Sequence, residues 1–407
     1  MPDERRSGIT ENLFFGRPHF SIPAMNIKPF KIQISSDTLD DLRQRLQRTR
    51  WPDAIPGSGW EYGADLDYMK ELVDYWLTEF DWRKQEAALN QFHHFRADVD
   101  GLGIHFIHEK GKGPKPLPII ITHGWPGSFA EMLKIIPLLT DPAAYGGDSA
   151  DAFDVIVPSM PGYGFSDRPA QRGMNVFRFA ELWVKLMAGL GYQRFAAQGG
   201  DFGAGVSTAL GLYHADHVIG LHLNYIPGSY RPFLEKGDEL SEVEKQFLKD
   251  DEKWWDEEGG YCHVQLTHPQ SISYGLNDSP AGLAAWLVEK FRAWGDCDGD
   301  VERRFSKDEL LTNVMIYWAT ETISSANRLY FEAKQRPMHF QKGQRVTVPC
   351  GIAHFPKEAP FPPRQWIERG YNIQHWSDLP SGGHFAALEE PTLLADDIRT
   401  FFRALRS

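Results

Sequence analysis

Residues 194–210 read RFAAQGGDFGAGVSTAL, and the six in their middle, Gly199-Gly200-Asp201-Phe202-Gly203-Ala204, decide the fold. The uncharged run up to Gln198 predicts a buried strand. The Ala- and Gly-rich run after it predicts a helix. Between them a single polar side chain, Asp201, stands among small residues. A chain that turns sharply from strand into helix brings two backbones together and leaves room only for small side chains. This is the layout of a nucleophile elbow, which presents one side chain above a parallel sheet. Enzymes that cleave esters hold serine there, and a hydroxyl needs a base to become a nucleophile. A carboxylate is already anionic near neutral pH. It suits displacement at a saturated carbon and leaves an alkyl ester on the protein. Taken alone, the six residues also fit a plain turn whose aspartate caps a helix.

Outward from the elbow the pattern alternates. PLPIIITHG (116–124), FDVIVPSM (153–160) and HVIGLHLNY (217–225) predict buried strands, and SFAEMLKIIPLL (128–139) and MNVFRFAELWVKLMAGLG (174–191) predict helices. Such alternation means a parallel sheet with right-handed crossovers. DVDGLGIHFIHEKG (98–111) predicts a hairpin turning near GLG, with His105 and His108 at the surface. The alternation stops near Tyr225. Residues 225–344 are charged, Trp-rich and helical in pattern, and 306–334 predicts the longest helix, opened by a Ser306–Glu309 capping box. Strand texture returns at RVTVPCGIAHF (345–355) and YNIQHWSDL (371–379), before a closing helix over 391–405.

The expected architecture is α/β. A hydrolase-type core in two parts, 99–224 and 345–407, is interrupted by a helical lid over 225–344. An appended N-terminal unit, 27–98, precedes it, with residues 1–26 as an arm. In that unit Ile32 and Ile34 suggest a short strand. Ser36 and Asp37 can cap a helix carrying Leu39, Leu42 and Leu46 on one face. Helices are expected again over 66–80 and 82–92.

Composition narrows the function. Lys plus Arg is 43 and Asp plus Glu is 55, so the net charge of −12 argues against a nucleic-acid or anionic-membrane face. No apolar run reaches the roughly 18 residues of a membrane helix. The three cysteines, Cys262, Cys297 and Cys350, are too few and too scattered for a disulfide framework. A soluble, cytoplasmic protein is expected. HExxH, paired CxxC, P-loop and dinucleotide fingerprints are all missing from the sequence, so no metal or organic cofactor is expected.

Two further motifs can meet the elbow. His123-Gly124-Trp125-Pro126-Gly127-Ser128 ends the first buried strand. From there the Trp125 N–H, with that of Phe202, can form an oxyanion hole. Gly382-Gly383-His384-Phe385 precedes the last helix, where a histidine can reach the elbow as general base. Its acid partner is expected after the preceding strand. Glu358 in HFPKE (354–358) leads, with Asp378 and Glu389 as rivals. The order Asp201, Glu358, His384 is the nucleophile–acid–base order of α/β-hydrolases.

HGWPGS, QGGDFG (198–203), GLNDSPAGLAAWLVEKF (275–291), DELLTNVMIYW (308–318) and GGHFAALEEP (382–391) together resemble microsomal-type epoxide hydrolases, and the resemblance runs from about Asn26 onward. It implies that Asp201 is the nucleophile, His384 the base that activates water and Glu358 the charge-relay acid. Tyr261, in GGYCHVQLTHP, and Tyr330, in SANRLYFEAK, match the two lid tyrosines that bind and protonate the epoxide oxygen. The implied partners are an epoxide and water, with a lid-mediated homodimer by analogy. The aromatic lid suggests an apolar epoxide. Phe202 stands where the family usually has Trp, and the anchor of mammalian members has no counterpart in residues 1–25. Two other readings use the same residues. A haloalkane or haloacid dehalogenase would share the aspartate but needs N–H donors for halide, and a binding protein on this fold would usually lack one triad member.

Overall fold

The computed structural model describes residues 25–406, so the expected arm lies almost wholly outside the described residues. Nine strands form one sheet: β1 (Ile27–Phe30), β2 (His94–Val99), β3 (Leu102–Glu109), β4 (Leu117–Thr122), β5 (Phe153–Pro158), β6 (Phe195–Gly199), β7 (Val218–Leu223), β8 (Val346–His354) and β9 (Tyr371–Asp378). Their order is β1-β2-β3-β5-β4-β6-β7-β8-β9. The first three and the β3–β5 pair run antiparallel, and every later pair is parallel. Ile119–Ile121 of β4 and Val155–Val157 of β5 are fully buried, as continuous apolar runs in a sheet covered on both faces must be. The helices Val176–Gly189 and Asp201–Tyr213 pack side by side, and Ile135–Thr140 packs with the last helix, Pro391–Arg403. The parallel order and these helix layers are those of the α/β-hydrolase fold.

Six helices between β7 and β8, from Glu242–Glu258 to Ile323–Lys334, form the interruption. The Ser306–Glu309 capping box opens Lys307–Thr320 as expected. The expected single helix over 306–334 is instead two. Glu321 takes a left-handed conformation (φ 53°, ψ 37°), and a second helix, Ile323–Lys334, starts beyond it. Thr320 Oγ1 donates to the Ile316 carbonyl and pairs with Thr322 Oγ1 at the break. SFAEMLKIIPLL also splits, into Phe129–Met132 and Ile135–Thr140. Pro137 has no N–H and its ring clashes with the carbonyl four residues back, so one continuous helix cannot pass through it.

The N-terminal segment differs from expectation in detail. The strand is Ile27–Phe30, not the stretch around Ile32 and Ile34. Those two isoleucines are buried, but their N–H groups donate to Asn90 Oδ1 (2.9 Å) and Glu86 Oε1 (2.7 Å) rather than to a neighbouring strand. The first helix, Ser36–Gln47, is capped by Ser35, one residue before the expected cap. The hairpin turns at Asp100-Gly101, both with positive φ, as a two-residue Asp-Gly turn requires. His105 is not at the surface. It is fully buried, with Nε2 2.9 Å from His94 Nδ1 and Nδ1 2.8 Å from Ser159 Oγ. His108 is half-buried against Tyr192. The two histidines fall on opposite faces of β3, and rings cover both: Phe129 and Phe165 beside His105, Phe95 and Tyr192 beside His108.

Asp397 joins the last helix to the sheet. Its carboxylate accepts from His222 on β7 (2.8 Å) and from His375 (2.8 Å) and Ser377 on β9. Burial alone would raise its pKa, but these bonds hold it well below the usual carboxylate range. Leaving buried hydrogen-bonding partners unsatisfied costs about 1–3 kcal/mol. Asp397→Ala is therefore expected to lower the urea unfolding midpoint by that equivalent. A loss under about 1 kcal/mol would contradict this reading.

Candidate active site

The site lies at the carboxyl ends of the parallel strands, where ligands bind in open α/β sheets. Asp201 follows β6 and starts its helix at φ 46°, a left-handed conformation that a residue with a side chain rarely adopts. The turn lifts its carboxylate to the helix N-terminus, which favours negative charge. Trp125, in the turn after β4, donates its N–H to Asp201 Oδ1 at 2.8 Å, and the Phe202 N–H also bonds the carboxyl. The two turns touch: a Cβ on Gly124 would sit 2.3 Å from Asp201 Cβ.

His384 approaches from the loop after β9. Its Nε2 is 3.7 Å from Asp201 Oδ2, and its Nδ1 is 2.7 Å from Glu358 Oε1, in the loop after β8. The structure thus brings Glu358, not its rivals, to the histidine. Asp378 pairs with His354 (2.9 Å). Glu389 accepts three backbone N–H groups, from Asp296 (2.7 Å), Gly383 (3.0 Å) and Phe385 (2.9 Å), and so brackets His384 by its chain neighbours. The His384 N–H itself donates to the Trp294 carbonyl at 3.0 Å, and Trp294 and Tyr225 meet the imidazole edge-on.

Burial disfavours charge on both sides of this pair. It pushes the Asp201 carboxyl up, against the His384 charge and the two N–H bonds. It pushes His384 down, but the Glu358 and Asp201 carboxylates outweigh it and raise the imidazole to about 9. The histidine is therefore a cation at neutral pH.

Tyr261 and Tyr330 come from the helices Gly260–Thr267 and Ile323–Lys334, and their rings cross nearly perpendicularly at 5.9 Å. The Trp125 ring stacks on Tyr261 at 5.0 Å with 4° between planes, and Lys290 Nζ lies 5.0 Å from the centre of the same ring. Phe202 packs edge-on against Tyr330 at 4.8 Å. Burial raises both phenols well above their ordinary value, so both are neutral donors.

Several supporting residues lie within the quoted stretches HGWPGS and DELLTNVMIYW, but sequence reading assigns them no role. His123, lowered to about 4 by burial, bridges the Gly124 carbonyl (3.0 Å) and the Met160 N–H (3.2 Å). Asn313 donates to the Pro126 carbonyl at 2.8 Å, and Tyr317 to that of Gly127 at 2.6 Å. The Lys307–Thr320 helix thereby holds the turn that carries the Trp125 N–H. Only the unbroken burial of that helix hints at this in sequence.

The sheet order and the elbow after β6 define an α/β hydrolase. Sequence comparison agrees: residues 118–271 match the alpha/beta hydrolase fold, and residues 27–132 match the epoxide hydrolase N terminus. Epoxide hydrolase 1 of Oryctolagus cuniculus is 42% identical, over 92% of this chain and 88% of its own length. The epoxide hydrolase of Aspergillus niger superposes with a TM-score of 0.81 at 31% identity, over 94% of this chain and 97% of that one. The juvenile hormone epoxide hydrolase of Bombyx mori gives 0.80 at 32% identity, over 94% of each chain. The chain belongs to the epoxide hydrolase family. Among the described residues no helix is long and apolar enough to cross a membrane.

Two outcomes follow from this geometry. Gly124→Ala forces the Asp201 side chain aside, and a displacement near 1 Å is worth about 10²-fold in rate. Turnover of an epoxide should fall by that order while unfolding stays cooperative; an unchanged kcat would show that the contact is slack. A histidine raised to about 9 adds stability that is complete below its unfolded pKa near 6.5 and lost as pH rises through 9. The melting temperature should therefore fall more steeply between pH 6.5 and 9.5 in the native chain than in His384→Gln. Equal slopes would refute the raised value.

Proposed function

We propose that this epoxide hydrolase converts an apolar epoxide to a vicinal diol in two steps, through an alkyl ester on Asp201. The observation that carries this reading is the division of labour between the two Asp201 oxygens. Oδ1 is engaged by the Trp125 N–H, and Oδ2 is left beside His384. In the first step Oδ2 attacks one epoxide carbon and the C–O bond of the ring breaks. The developing alkoxide takes a proton from Tyr261 or Tyr330, an assistance worth about 10²- to 10⁴-fold. The ester formed is neutral, so His384 loses one of the two carboxylates that hold its proton. The imidazolium then returns a proton to the phenolate and becomes a base.

In the second step His384 Nε2, oriented by Glu358, removes a proton from water. The oxygen attacks Cγ of Asp201, and the oxyanion forms on Oδ1 against the Trp125 and Phe202 N–H groups. The Cγ–Oδ2 bond breaks, His384 returns its proton to Oδ2, and Oδ2 leaves in the diol. The six helices between β7 and β8 act as the lid that closes over the substrate. Their aromatic side chains, Trp294 and Tyr261 among them, favour an apolar epoxide.

Oxygen tracing tests the sequence of bonds. In a single turnover of styrene oxide in ¹⁸O water with excess enzyme, the diol should carry ¹⁶O and the Asp201 peptide should gain ¹⁸O. A first diol labelled with ¹⁸O would mean direct attack by water and would reject the covalent scheme. Tyr261→Phe and Tyr330→Phe should each slow ester formation at least about tenfold, and the double variant should nearly abolish it. Unchanged single-turnover alkylation in the double variant would remove the tyrosines from the mechanism.

A further inference from the structure

Asp201 and His384 also line a cavity of about 20 Å³ whose walls include neither lid tyrosine. That is room for one water, which needs about 10–15 Å³. Its walls include Asp201, His384, Gln198, Asn224 and Glu131, all from the sheet side of the site and none from the helices between β7 and β8. Three of the lining residues carry a deeply buried polar atom with no hydrogen-bond partner in the protein: Glu131 Oε1, Gln198 Oε1 and Trp125 Nε1. Gln198 is fixed from its other end, since its Nε2 donates to Asn224 Oδ1 at 2.8 Å. Glu131 is fixed by shape: a Cβ on Gly127 would fall 1.3 Å from its Oε1, so the carboxyl fills the space that glycine leaves. An unsatisfied buried polar group is costly, and such oxygens on residues that line a one-water cavity point to a water site.

We propose that this cavity seats the water that hydrolyses the ester, and that Glu131 and Gln198 are its positioning residues. The inference rests on the two-step reading above. Burial pushes the Glu131 carboxyl up to about 8, with the Asp201 charge adding to it against His384 and the Ser128 N–H. At neutral pH the group therefore donates a hydrogen bond. The water accepts from Glu131 and gives one hydrogen to Gln198 Oε1 and the other to His384 Nε2. That leaves one lone pair on the oxygen for Cγ of Asp201. On attack the proton passes to His384 and the O–C bond forms, while Glu131 and Gln198 exchange nothing. They act by placing the nucleophile, and so matter only after the ester exists.

Single-turnover kinetics with styrene oxide, followed by intact-protein mass spectrometry, separates the two steps. Glu131→Leu should form the ester within about threefold of the native rate and hydrolyse it at least about tenfold more slowly, so that protein heavier by one substrate accumulates. Glu131→Gln keeps a neutral N–H donor and should restore hydrolysis to within about threefold of native. Gln198→Leu should reproduce the accumulation, and it carries the test if Glu131→Leu fails to fold. Hydrolysis at the native rate in both leucine variants, or equal slowing of both steps, would overturn the proposal. His384→Gln serves as the reference: if it forms no ester, the two-step reading itself fails, a result distinct from any of these.

Discussion

The site depends on one strained turn. Asp201 leaves β6 at φ 46°, a conformation that costs of order 1–3 kcal/mol for a residue with a side chain. The strain is held because the surroundings leave no alternative. Gly124 abuts the Asp201 side chain, and the Trp125 N–H takes Oδ1. Relaxing the turn would carry the carboxylate away from both the N–H groups and His384. Every other feature of the site is arranged around an oxygen pair whose two members are unlike.

That arrangement is maintained by elements remote in sequence. The Trp125 turn is held from above by Asn313 and Tyr317 and from below by His123. The helix that carries Asn313 and Tyr317 is in turn fixed to the N-terminal segment, where Tyr75 and Gln85 both donate to Asp308 at 2.9 Å. A second tie runs from Arg45 to Asp278 at 2.6 Å. The appended N-terminal unit thus braces the helices over the site, and its strands extend the same sheet. These are direct contacts of packed side chains, and they link the N-terminal helices to the turn that carries the Trp125 N–H through Asp308 and Asn313.

The sequence revealed what local chemistry dictates. Short apolar strands alternating with helices announce the parallel sheet, and small residues around one aspartate announce the elbow, because sterics permit little else at such a turn. Boundaries were less legible where two signals competed. Apolar periodicity ran through Pro137 and through Thr320–Thr322, but a missing N–H and a side-chain bond to the backbone divided those helices. Ile32 and Ile34 alternate as a strand does, yet Asn90 and Glu86 satisfy that backbone from a helix. Glu389 had looked like an acid for His384 by its position. Three backbone N–H groups claim its carboxyl instead, and nothing in the letters around it distinguishes the two uses. The unpaired oxygens of Glu131 and Gln198 are equally silent in the sequence, since pairing is a property of three-dimensional neighbours.

Charge explains why so many carboxyls can surround one imidazole. Asp201, Glu358, Glu131 and Glu389 all influence or touch the His384 region, and four anions around one cation in a dry site would repel strongly. Burial settles the conflict by holding Glu131 near 8 and Glu389 near 7, each well above an ordinary carboxyl, while His384 stays charged to about 9. Glu131 keeps its proton despite the His384 charge nearby, because burial and the Asp201 charge outweigh that cation. In the proposed scheme alkylation of Asp201 removes a charge from this set, and His384, whose proton Glu358 and then Asp201 retain, is exposed to the change. In that scheme His384 becomes a base once the ester has formed, so the order of the proposed half-reactions accords with the electrostatics.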